Sequence, residues 1–296
     1  ARFLSNDVIT EFRGRGDEIH MLPLSFGEFF SVYEGDYKLA LDEYLTYGGL
    51  PQILSYKTGK QKVDYLKNLF TKTYISDIVG RYNVKHEEEL GELVNIVASA
   101  VGSLTNPTKI VNTFSTVKNV KISNDTVKKW LDYLCDSFLV SRSMRYDVKG
   151  RRYIDTPSKY YFSDLGLRNA RLNFRQNEKT LLMGNLIYNE LIYKGFKVDV
   201  GVVTTETSST EGKRQKVQLE IDFVCNQGSK RYYIQSAYKM DTDEKRRQEC
   251  LSLSKVDDSF KKIVIVADDQ LVHRDDHGIT TICLKDFLTQ PQALEL

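Results

Sequence analysis

Proline is scarce in this 296-residue sequence, with 5 residues, and glycine is modest at 18, which excludes collagen-like and low-complexity architectures. Cysteine is nearly absent too. Cys135, Cys225, Cys250 and Cys283 stand far apart with no Cys-x-x-Cys pair, excluding a disulfide scaffold or a zinc ribbon. Reduced thiols in a cytoplasmic protein are the expectation that remains. No apolar run approaches the roughly 18 residues of a membrane helix, so no membrane partner is expected; the purest short run, Ile263 to Ala267, has strand length. Neither sign of charge dominates: 42 Lys and Arg against 40 Asp and Glu leave +2, so affinity for nucleic acid has to come from a local patch. The phosphate loop Gly-x-x-x-x-Gly-Lys-Ser/Thr, Gly-x-Gly-x-x-Gly after a strand, Gly-x-Ser-x-Gly and His-Glu-x-x-His are all missing. These residues therefore hold no nucleotide in the P-loop manner, and no bound cofactor or metal is expected.

What is present, 41% hydrophobic and 28% charged residues, fits a globular chain of two or three domains. Its pattern reads as mixed α/β. A helix is expected over residues 3–15 and a strand over Glu18–Leu24. Ser25, three residues before Glu28, has the spacing of a capping box opening the next helix. Helical periodicity then runs to about Val84, broken at Tyr47-Gly48-Gly49-Leu50-Pro51, with Val63, Leu66 and Phe70 on a buried face. Residues 1–85 thus look like an incomplete helical piece. Between 86 and 165 three helices precede two β-like runs, 138–146 and 153–162. That is the order of a winged helix, with Val127, Trp130, Leu131 and Leu134 facing inward from its third helix. Residues 166–296 alternate helix and strand as an α/β sandwich.

Two places carry chemistry. Strict alternation along Gln218–Val224 puts Glu220 and Asp222 on one face, and Leu219, Ile221 and Phe223 on the other. With the following strand, Tyr233–Tyr238, this is the layout of a metal-dependent nuclease core, in which acids hold Mg²⁺ and a lysine readies water. Here that strand offers Gln235 and Ala237 where an acid and a lysine are required. Glu190 on the preceding helix would extend the cluster, and Lys239 shares the parity of Gln235. The plain alternative is a solvated acidic face or a decayed site. The second place is basic: Lys118 to Lys159 holds ten Lys and Arg against five Asp, with Lys128 and Lys129 on the third helix and Lys149, Arg151 and Arg152 on the wing. DNA is the expected partner, a protein the alternative. His273-Arg274-Asp275-Asp276-His277 has metal-like letters but reads as a polar hairpin loop.

Several phrases together resemble a known family. Phe12-Arg13-Gly14-Arg15, Leu22-Pro23-Leu24-Ser25-Phe26-Gly27-Glu28-Phe29, Tyr47 to Pro51, Tyr161-Phe162-Ser163-Asp164-Leu165-Gly166, Glu220 to Val224 and Asp286-Phe287-Leu288 are similar to the C-terminal part of prokaryotic AAA-like P-loop ATPases. In that family a C-terminal domain of unknown function is related to PD-(D/E)XK nucleases. The resemblance implies a parent ATPase using ATP and Mg²⁺, oligomerising through a core upstream of Ala1, and it makes Arg15 a candidate nucleotide-sensing residue. The reading implied is a non-catalytic regulatory and substrate-binding arm with a degenerate nuclease-like domain. A divergent Mg²⁺-dependent nuclease and a protein-interaction module are the alternatives.

Overall fold

The computed structural model describes residues 20–117, 119–176, 178–208 and 214–296. The expected helix over 3–15, Arg15 and Lys118 lie outside these. The chain divides into two compact units, residues 1–142 with 160–177, and 143–159 with 178–296. The expected boundaries at 85/86 and 165/166 do not coincide with this division. The mixed α/β class is observed, one sheet system accompanying many helices. Among the described residues no helix is long and apolar enough to cross a membrane.

The first unit is largely helical: α1 (Phe26–Val32), α2 (Tyr37–Tyr47), a 3₁₀ turn at Pro51–Ser55, α3 (Gly59–Leu69), a π-helical turn at Phe70–Ile75 and α4 (Ser76–Tyr82). These are followed by α5 (Glu87–Ser99), β1 (Leu104–Thr105), α6 (Pro107–Val117), α7 (Asn124–Asp136) and, later in the chain, α8 (Leu165–Arg171). The capping box forms with both arms: Ser25 Oγ accepts from the Glu28 amide at 3.2 Å, and Glu28 Oε2 accepts from the Ser25 amide at 3.0 Å. In α5, Leu90, Leu93, Val94 and Val97 are buried, and in α7 Val127, Trp130, Leu131 and Leu134, each set at i, i+3, i+4, i+7. Residues 20–24 form no strand. Instead the Leu24 amide donates to Gly49 O at 2.8 Å, and Leu24 O accepts the Tyr44 hydroxyl at 2.6 Å.

Three phrases behind the family resemblance meet here. Gly49 N–H donates to Asp164 Oδ2 at 2.8 Å across 115 positions of sequence, and Asp164 also caps α8 through the Leu167 amide at 2.9 Å. Gly48 holds φ +79, and a Cβ there would lie 2.3 Å from the Asp164 carboxylate. At Gly166 a Cβ would lie 2.0 Å from Tyr47 O, a main-chain atom that cannot swing aside. Gly166→Ala is therefore expected to cost about 3 kcal/mol through overpacking, read as a lower urea midpoint; a shift below a third of that would refute the contact. The short α8 goes on to satisfy helix ends: fully buried Arg168 donates from Nε to Ala98 O at 2.9 Å, and Asn169 Nδ2 to Leu45 O and Thr46 O at 2.8 and 2.9 Å. A buried guanidinium is tolerable there because the last carbonyls of α5 are orphan acceptors at the negative end of a helix dipole.

β2 (Val140–Asp147) and β3 (Arg152–Phe162) form a hairpin, of which residues 143–159 belong to the second unit. The order there is β3-β2-β4-β5-β6-β7-β9-β8, with β4 (Lys197–Ser208), β5 (Arg214–Gln227), β6 (Lys230–Ala237), β7 (Lys261–Val266), β8 (His273–Arg274) and β9 (Ile279–Cys283). The hairpin joins this sheet because β2 runs parallel to β4, Arg145 opposite Val200. Residues 86–165 have the expected order, α5, α6 and α7 followed by the hairpin, and the division into two units falls within that hairpin. Helices α9 (Lys179–Tyr193), α10 (Asp243–Ser254) and α11 (Leu284–Thr289) complete the unit. β7 pairs in parallel with both β6 and β9, and its run Ile263 to Val266 is apolar and buried without a break, as a central parallel strand requires. The polar loop expected at 273–277 is the turn between β8 and β9, where Asp275 Oδ1 accepts from the His277 and Ile279 amides.

Candidate functional site

The acidic strand does not alternate strictly. Asp199 pairs with Val224 and Gly201 with Ile221, so Asp222 and Phe223 both stand opposite Val200 in a β-bulge. Ile221 and Val224 consequently join one apolar cluster, together with Val203, Tyr233, Ala237 and Val264, which unbroken alternation forbids. The expected two-face reading of 219–223 is corrected accordingly.

Glu220 and Asp222 nevertheless converge, on a residue that motif reading passed over. Lys159, from β3, places Nζ 2.6 Å from Glu220 Oε1 and 3.1 Å from Asp222 Oδ1. Its side chain is 5% exposed, against 38% for Glu220 and 21% for Asp222. The signal was available only as tertiary structure: 63 positions separate Lys159 from Asp222, and its own neighbours suggest nothing but a wing strand.

The second oxygen of Asp222 and the amide oxygen of Gln235 are occupied as well. The ladder between β5 and β6 runs from Gln227–Lys230 to Phe223–Ile234. Beyond it, side chains bridge the strands: Asp222 Oδ2 accepts from the Ser236 amide at 3.0 Å, and Gln235 Oε1 from the Asp222 amide at 3.3 Å. Ala237 is buried in the apolar cluster. Lys239 lies exposed beyond the end of β6, so its expected parity with Gln235 does not hold. Glu190 is buried on α9, with Lys194 as an electrostatic neighbour; burial pushes the Lys194 ammonium down and Glu190 opposes this. Among the described residues no three His, Cys, Asp or Glu side chains gather as a metal-holding group. A divalent ion does not fit the donor set: two carboxylates already share an ammonium, and the amide oxygen opposite is spent on a backbone N–H.

The basic residues fall into two sets. Lys128 and Lys129 are exposed on α7 in the first unit, where Asp125 and Asp132 are exposed on the same helix. Lys149, Arg151 and Arg152 sit on the β2–β3 turn in the second unit. Lys149 approaches Asp257 at 3.7 Å as an exposed pair of small energetic weight, and exposed Arg152 approaches the partly buried Asp147 at 3.6 Å.

An uncharacterized protein of Haemophilus influenzae is 31% identical over 295 residues, covering 98% of this chain and 69% of that one. The chain belongs to its family. Residues 38–178 match the model of a domain of unknown function, DUF8612. That span takes in the Tyr47–Pro51 and Tyr161–Gly166 motifs and Lys159, and stops before Glu190, Glu220 and Asp222. The uncharacterized protein MJ1544 of Methanocaldococcus jannaschii is 26% identical over 262 residues, 84% of this chain and 56% of that one. The chain thus spans about two thirds of the first relative and just over half of the second. A solved structure, protein VC1899 from Vibrio cholerae, is 13% identical, covers 81% of this chain and 57% of its own, and superposes with a TM-score of 0.30, too low to carry an argument.

Proposed function

We propose that this chain is the regulatory and substrate-binding C-terminal portion of an AAA-like ATPase, with a nuclease-like domain that does not cleave. One observation carries the reading: the ammonium of Lys159 stands where a hydrolytic centre needs a cation bound to Glu220 and Asp222. The single ammonium bridges both carboxylates and offsets one of their two charges, but offers no Lewis acidity and no coordination site for water. With Gln235 and Ala237 in place of an acid and a lysine, the pair becomes a structural clasp. The ATP and Mg²⁺ of this reading belong to the part of the parent that carries the phosphate loop, and oligomerisation belongs there too. The DNA contact expected of the basic residues rests more on the hairpin turn than on α7, where Asp125 and Asp132 flank Lys128 and Lys129. A cytoplasmic location fits the four free cysteines.

Incubation with Mg²⁺ or Mn²⁺ and single-stranded, duplex and branched DNA is expected to leave every substrate intact. Cleavage that disappears in Asp222→Ala would overturn the reading in favour of a divergent nuclease. For that second reading the geometry favours Lys159 over Lys239 as the water-activating lysine, because it is the one in contact with Asp222.

A further inference from the structure

Three aromatic side chains among the described residues are exposed, Tyr153, Tyr193 and Phe260, and two of them belong to one row on the second unit. The Arg231 guanidinium stands 5.2 Å from the centre of the Phe260 ring and 5.6 Å from that of Tyr146. Tyr146 and Tyr153, from the two arms of the hairpin, have ring centres 5.3 Å apart, and Lys197 Nζ lies 5.0 Å from the Tyr153 ring centre. Three aromatic rings and two cations thus follow one another from Phe260 through Arg231, Tyr146 and Tyr153 to Lys197.

The row is held in place from below. Tyr153 donates its hydroxyl to Asp199 Oδ2 at 3.0 Å, and Asp199 is buried under the strands. Burial pushes the Asp199 carboxyl up, against the Tyr153 hydrogen bond and the charges of Lys197 and Arg231. Arg231 Nε donates to Asn226 Oδ1 at 2.7 Å, which fixes the guanidinium between its two rings. Tyr153 remains 45% exposed and Phe260 38%. The tyrosines flank the turn bearing Lys149, Arg151 and Arg152, so further positive charge adjoins the row.

A single strand of nucleic acid presents what such a row accepts, unpaired base faces along a line of phosphates. Duplex DNA presents phosphates but keeps its base faces stacked inside. We propose that Tyr146, Tyr153 and Phe260, with Lys197 and Arg231, form a binding site for single-stranded nucleic acid, its bases on the rings and its phosphates on the cations. This deepens the substrate-binding part of the function above by naming the substrate class. It does not depend on whether the acidic pair cleaves, so a cleavage assay and a binding assay fail independently.

The test is fluorescence anisotropy of the full chain with a labelled twelve-residue oligothymidylate and with a duplex of equal length at low salt. The single strand is expected to bind at least ten-fold more tightly. The double variant Tyr153→Leu/Phe260→Leu is expected to lose ten-fold or more while still unfolding in one cooperative transition, the loss of the hydroxyl bond to Asp199 being shared by Tyr153→Phe. Tyr153→Phe keeps the ring and is expected to bind within two-fold of the original. No detectable binding, equal affinity for duplex and single strand, or full affinity in the double variant would each overturn the site. Should the double variant fail to fold, Lys197→Gln replaces it: a loss of three-fold or more with a shallower salt dependence supports the site, and unchanged binding removes it.

Discussion

Replacing Lys159 with methionine is expected to lower the stability of the second unit by about 3 kcal/mol, because removing one partner of a buried ion pair strands the charge left behind. The lysine is almost wholly enclosed while both acids keep some contact with water, so the expectation sits at the low end of the usual range. Asp222 carries most of it, being the less exposed acid and the one tied into the strand junction through Ser236. Equilibrium unfolding in urea measures the change. Adding Glu220→Gln and Asp222→Asn to Lys159→Met should recover more than half of the loss, since no charge then remains unpaired. A loss below 1 kcal/mol in the single variant, or no recovery in the triple, would show that the ammonium does not hold the junction.

The second large effect belongs to Asp164, and it has a pH signature. Burial pushes its carboxyl from 3.8 up to about 6, against hydrogen bonds from the Leu167, Gly49, Gly166 and Leu50 amides that pull it down. The folded state therefore keeps a proton that the unfolded chain releases near pH 4. The stability this group contributes is complete below pH 3.8 and declines as pH rises to about 6, by about 3 kcal/mol for a shift of this size. Asp164→Asn, which stays neutral, should lack that decline. The difference in unfolding free energy, original minus variant, should fall between pH 4 and 6 and level off above. Asp164→Ala removes the cap of α8 and the acceptor of Gly49 together and should cost about 4 kcal/mol near pH 4; alanine does not titrate either, so this difference should shrink with rising pH in parallel with that of Asp164→Asn. A pH-independent difference for Asp164→Asn would mean that the carboxyl titrates normally.

Local signals in the sequence carried most of the elements. The Ser25–Glu28 box, the Ser123 cap and the i, i+3, i+4, i+7 spacing of α5 and α7 act within one or two turns, and the observed helices start and end within a few residues of those signals. The run Ile263–Val266 reads as a buried strand for the same reason. The partition of the chain was not legible, because the parallel pairing of β2 with β4 joins residues some 55 positions apart and leaves no local mark. The bulge at Asp222 and Phe223 was invisible to a period-two rule, which assumes one residue opposite one. At the candidate site Glu220, Asp222, Gln235 and Ala237 were legible as residue types. Their meaning was not, since it turns on an ammonium delivered from a strand read as part of another domain. The expected strand at Glu18–Leu24 was mistaken in its described part for a related reason: residues 20–24 are a short, largely apolar run, but Leu24 spends its amide on Gly49 instead of a ladder.

The route of the backbone has a practical meaning for anyone dissecting this protein. Residues 143–159 are a loan from one body to the other, so no single scission separates the two cleanly. A recombinant piece beginning at residue 178 would expose the flank of β4 and carry Glu220 and Asp222 stripped of their counter-ion, inviting aggregation. A piece beginning at 143 would retain both, at the expense of a severed tether across 160–177. Activities assigned to a C-terminal fragment will therefore depend on which of these two starting points was chosen.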